Sequence, residues 1–113
     1  MSEIIYRASL PGDAVSFIER ISWQEFVPVD ATITIQPSIC DPDEDFYPLV
    51  MTAFIGRMET ALKISGISAG DSTDGSLATL RILTYLGFNV ESDDILTTKK
   101  FGTSGQIILT YAY

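Results

Sequence analysis

The chain has 113 residues, among them no histidine, a single cysteine and only seven basic residues. Each shortage removes a class of chemistry. Without His, zinc and other transition metals lose their commonest ligand, and a serine or cysteine nucleophile loses the base that usually activates it. A lone Cys40 cannot close an internal disulfide, which favours a reducing compartment. It has no CxxC partner, and the carboxylates beside it raise rather than lower a thiol pKa, so Cys40 reads as structural. Seven basic against fifteen acidic residues leave a net charge of −8. That balance disfavours nucleic acid, whose binding draws on Lys and Arg at phosphates, and disfavours an anionic membrane surface. No segment reaches the roughly 18 apolar residues of a membrane span. The opening MSEIIYRASL lacks the basic stretch and apolar run of a secretory leader. The cytoplasm, of the source cell or of a host, is the expected location.

What is present suits a globular fold. Hydrophobic residues make up 46% of the chain, enough for a core in one domain spanning residues 1–113. Ile4, Tyr6, Ala8 and Leu10 alternate with Ile5 and Arg7, the pattern of a strand over 2–10. The PGD that follows stops it, and Asp13 is expected to cap a helix over 14–22. In FVPVDATITIQP, Ala31, Ile33 and Ile35 alternate with Thr32, Thr34 and Gln36, a half-buried strand whose early part Pro28 confines to an edge.

Residues 48–65 show apolar side chains at three- and four-residue steps, with Pro48 before and Gly66 after. They read as the longest helix, with Gly56 marking a kink or a close helix crossing. A further helix is expected over about 75–86, capped by Thr73 or Asp74 and ended by Gly87. FNVE suits a short strand. ILTTKKF, GTSG and QIILTYAY read as strand, turn and strand, a hairpin over 95–113. Apolar residues on both faces of its last strand suggest that the strand is covered on each side, or that one side meets a partner. The expected fold is therefore α+β: a mostly antiparallel sheet of about four strands, with two or three helices on one face, in the order β-α-β-α-α-β-β.

The densest feature is CDPDEDFYP, residues 40–48, where Asp41, Asp43, Glu44 and Asp45 fall in five positions. The acids have the first spacings of a calcium loop, but the turn glycine is replaced by Phe46 and the closing glutamate by Thr52. No metal and no cofactor is expected. The acids favour a helix start, through its dipole, and exceed what one start needs. Asp41, Asp43, Glu44 and Asp45, with Phe46, Tyr47, Tyr111 and Tyr113, are therefore the candidate partner-binding residues. Trp23, like most aromatics, is expected in the core. GDS at 70–72 has the letters of an esterase nucleophile block but no base and no preceding strand, so Ser72 is not expected to be catalytic.

The profile points to a non-enzymatic, inhibitor- or immunity-like binding protein for a basic protein partner. An oligomeric structural or accessory subunit, of a phage or an assembly system, is the alternative, and a homodimer is compatible with either. A carboxylate-dependent enzyme is a third reading. It requires a deep pocket where distant acids such as Asp30 and Asp94 converge.

Overall fold

Apolar side chains on one face of a sheet need a second layer to bury them, and here that layer is helical. The computed structural model describes residues 2–35 and 46–111. It runs β1 (Ser2–Arg7), α1 (Pro11–Ile21), β2 (Phe26–Thr34), β3 (Leu49–Ile55), β4 (Met58–Ser65), α2 (Asp74–Leu86), α3 (Ser92–Leu96) and β5 (Gln106–Thr110). The strands form one sheet in the order β1-β4-β3-β2-β5. Among the described residues only the β1–β4 pair is parallel, and the other three pairs are antiparallel. The α+β class and the helices on one face agree with the sequence reading; the sheet is mixed, with one more strand than expected.

Cross-strand register sets the core. Ile4, Leu62, Met51 and Ala31 stand side by side, as do Tyr6, Ile64, Leu49 and Ile33. Onto them pack Ala14, Ile18 and Ile21 of α1, Ala78, Ile82, Leu83 and Leu86 of α2, and Ile95 of α3. Tyr6 also stacks on Phe17, with ring centroids 4.2 Å apart. The two longer helices run parallel. Leu10 and Asp13 lie near Asp74 at their starts, and Ser22 bonds the Tyr85 hydroxyl near their ends.

The largest departure from the sequence reading is residues 48–65, which form the β3–β4 hairpin and not a helix. Apolar residues fall on both faces there, so the helical and the alternating pattern both fit the letters. Three features favour the strands. Leu49, Met51 and Ala53, then Thr60, Leu62 and Ile64, alternate and are buried. Gly56 has φ +64 and precedes Arg57, whose φ is not positive, the combination of a two-residue type II′ turn. Pro48 starts no helix; its carbonyl accepts from the Thr34 amide.

The expected hairpin over 95–113 is also corrected. Acids start a short helix instead: Asp94 accepts from the Glu91 amide at 3.0 Å, and Thr97 closes its end on the Asp93 carbonyl. β5 then pairs with β2, a distant partner. FNVE forms no strand. Asp13 is not the first cap; it sits three residues inside α1 and accepts from the Leu10 amide. Trp23 is not core: it is 88% exposed in the turn after α1. The edge expectation for Pro28 holds locally. Register shifts between Pro28 and Asp30, leaving a bulge at Val29, and β5 pairs only from Asp30 onward.

Candidate functional site

Among the described residues, no helix covers the second face of the sheet. Register arranges it in rows. One row runs Ile5, Lys63, Val50, Thr32, Ile108; the next runs Glu3, Ala61, Thr52, Asp30, Thr110. A third brings Phe54 between Glu59 and Val27. Ile5 is 47% exposed, Phe54 40% and Ile108 69%. Isolated apolar side chains on a surface are ordinary. Several on one face of a sheet, interspersed with charge, have the composition of a docking face.

Tyr47 lies at the rim of this face. Its hydroxyl accepts from the Arg7 guanidinium at 3.0 Å, and the Lys63 ammonium stands 6.0 Å from its ring centre. Lys63 also pairs with Glu3 at 3.3 Å. The two cations of the face are thus engaged within the fold, while Asp30 and Glu59 add carboxylates to it. Phe46, half-buried, precedes Tyr47 in the chain.

The predicted binding residues do not all meet. Asp41, Asp43, Glu44, Asp45 and Tyr113 lie outside the described residues, as do Cys40 and the question of a calcium loop. Tyr111 is separated from Tyr47. Its ring packs edge-on against Phe88 at 5.4 Å, on the helical side of the sheet. Its amide bonds Val29 near the start of β2, whereas Pro48 bonds Thr34 at the far end of that strand. Sequence reasoning missed Ile5, Val27, Phe54 and Ile108. The signal was the alternation itself, since an apolar residue out of phase with the buried set marks the outer face.

The GDS loop serves the start of α2. Asp71 accepts from the hydroxyls of Thr73 and Ser76, both at 2.6 Å, and from the Thr73 amide at 3.1 Å. These bonds, Ser76 first, hold its carboxyl below the usual range. Its bonds go to Thr73 and Ser76 and not to Ser72. Asp30 and Asp94 sit in different layers, one on the open face and one in α3. A hollow of about 390 Å³ between the starts of α1 and α2 includes Asp13, Asp74 and Arg81, but the Asp13 carboxylate is occupied by the Leu10 amide. Among the described residues no helix is long and apolar enough to cross a membrane. In comparisons with known proteins, no family model, no curated protein and no solved structure matches the chain.

Proposed function

We propose that this chain is a non-enzymatic binding protein, inhibitor- or immunity-like, that docks on a basic protein partner through the open face of its sheet. The observation that carries the reading is the exposure of Ile5, Phe54 and Ile108 on one face of an otherwise well-packed domain. The partner's sign follows from charge. The chain carries net −8, and Lys63 is matched by Glu3 while Arg7 is held by Tyr47. The run Asp41, Asp43, Glu44, Asp45 leads directly into Phe46 and Tyr47, so acids steer and aromatics anchor. The cytoplasm of the source or host cell is the setting proposed for this encounter.

Affinity capture on immobilised wild type, Phe54→Lys and Asp43→Lys/Glu44→Lys tests the reading. A basic protein should be retained by wild type, released by salt and lost on Phe54→Lys. The double reversal should slow its association at low salt. A partner held equally by all three proteins overturns the proposal. An oligomeric accessory subunit is the second reading, favoured by the uncharged outer edge of β5.

A further inference from the structure

Among the described residues the sheet ends in two edge strands, β1 and β5, and they differ in chemistry. β1 carries Glu3 and Arg7, charges of the kind that blunt an edge against pairing. β5, QIILT, has no charge, no proline and no bulge among its paired residues. Its phase is fixed by β2. The Tyr111 amide donates to the Val29 carbonyl, and the Ile35 amide donates to the Gly105 carbonyl. In an antiparallel ladder, alternate residues of a strand face alternate neighbours. Residues 105, 107, 109 and 111 therefore turn their backbone groups to β2, and Gln106, Ile108 and Thr110 turn theirs outward. The Gln106 amide has a long local acceptor, the Ser104 hydroxyl at 3.4 Å.

We infer that this edge takes a second copy of the same chain, β5 against β5, antiparallel and centred on Ile108. The outward phase suits a two-fold axis at that residue. Ile108 meets its own copy as a hydrogen-bonded pair, and Gln106 meets Thr110 of the second copy as another. Ile107 lies opposite Leu109 on the helical side. No like charges oppose one another, and the polar pair flanks the apolar centre. A two-fold closes on itself, whereas parallel addition would leave a further edge open. Ile108, the most exposed apolar side chain of the sheet at 69%, gains the contact its position lacks in one chain. Two five-stranded sheets then join into one, with their open faces continuous. The inference does not rest on the basic-partner reading, and salt separates the two. Copies of net charge −8 repel, so salt strengthens this dimer while weakening an acid–base encounter.

Sedimentation velocity on the full chain, across a concentration series at about 0.05 M and about 0.5 M salt, is the test. A monomer–dimer equilibrium that shifts toward dimer at the higher salt is expected. Thr110→Pro removes an outward amide without touching the β2 ladder. It should weaken the dimer about thirtyfold, as expected for the two symmetry-related bonds lost. Ile108→Lys, at an exposed site, should give monomer and covers the case in which the proline variant misfolds. Phe54→Lys, on the same face but three strands in, should leave the dimer intact. A monomer at every concentration and salt overturns the inference, as does a dimer that survives both β5 variants or is lost with Phe54→Lys.

Discussion

Gly66 ends β4 against the last residues of β1, and replacing it with alanine should be among the costliest small changes in the chain. Two penalties combine. Its φ is +85, a region that costs a residue with a Cβ about 1–2 kcal/mol. The added Cβ would also lie far inside van der Waals contact of the Ala8 carbonyl oxygen and 2.9 Å from the Ala8 carbonyl carbon. These are backbone atoms, so no rotamer change relieves the clash. β1 must move, and the bond from the Ala8 amide to the Ser65 carbonyl at 3.1 Å is the first to go; losing it costs about 1 kcal/mol. The total of about 3 kcal/mol is a large part of the roughly 5–15 kcal/mol that holds a domain folded. Gly56→Ala is the control. Gly56 also has positive φ, +64, but nothing lies within 4 Å of a Cβ there. That variant should lose only the conformational term. Urea unfolding followed by circular dichroism measures both. Equal losses in the two variants would refute the reasoning, because only the contact with Ala8 separates them.

Asp71→Ala should cost about 1 kcal/mol at neutral pH, the usual worth of a helix-start acceptor. The folded carboxyl lies below its ordinary value, so its contribution is present above the unfolded pKa and fades as pH falls through the folded one. Urea midpoints of wild type and variant should therefore converge in acid, and a gap independent of pH counts against the account. Truncation after Gly105 removes β5 with half-buried Ile107 and Leu109, at a cost of about 3 kcal/mol or more. A fragment 1–105 that melts as cooperatively as the full chain would contradict it. Trp23→Ala should change stability by less than about 0.5 kcal/mol, since the indole is almost wholly in solvent. Thermal melts check this, and a loss of several degrees would show that the indole packs.

The elements legible in the sequence were those with a single period. β1 and β2 alternate cleanly, and α2 ends at Gly87, which adopts the left-handed conformation with φ +91. Residues 48–65 were ambiguous because a buried hairpin with apolar residues on both faces also satisfies helical spacing. Only the Gly56 turn and the pairing with β2 resolve it. The partner of β5 was not readable locally, because β2 lies some seventy residues earlier; Gln106 and Thr34, for instance, differ by 72 in number. Of the candidate binding residues, Tyr47 contacts Arg7 and Lys63 of the open face. Its separation from Tyr111 was not readable locally, since strand order decides which residues share a side.

The pairing of β1 with β4 has a consequence for the order in which the chain folds. β2, β3 and β4 form a local meander closed by short connections, except for the segment after Ile35. β1 instead waits for a partner far along the chain: Ser2 and Thr60, whose hydroxyls bond at 3.0 Å, are 58 residues apart. Loop-closure entropy must be met before that contact returns anything. During synthesis β1 stays unpaired until β4 has emerged, and its apolar face depends on α1 for cover. In the finished fold it is an edge strand, held to the sheet through β4 alone among the described residues. Amide exchange in β1 should therefore run ahead of β3, with the first strand made among the last to dock.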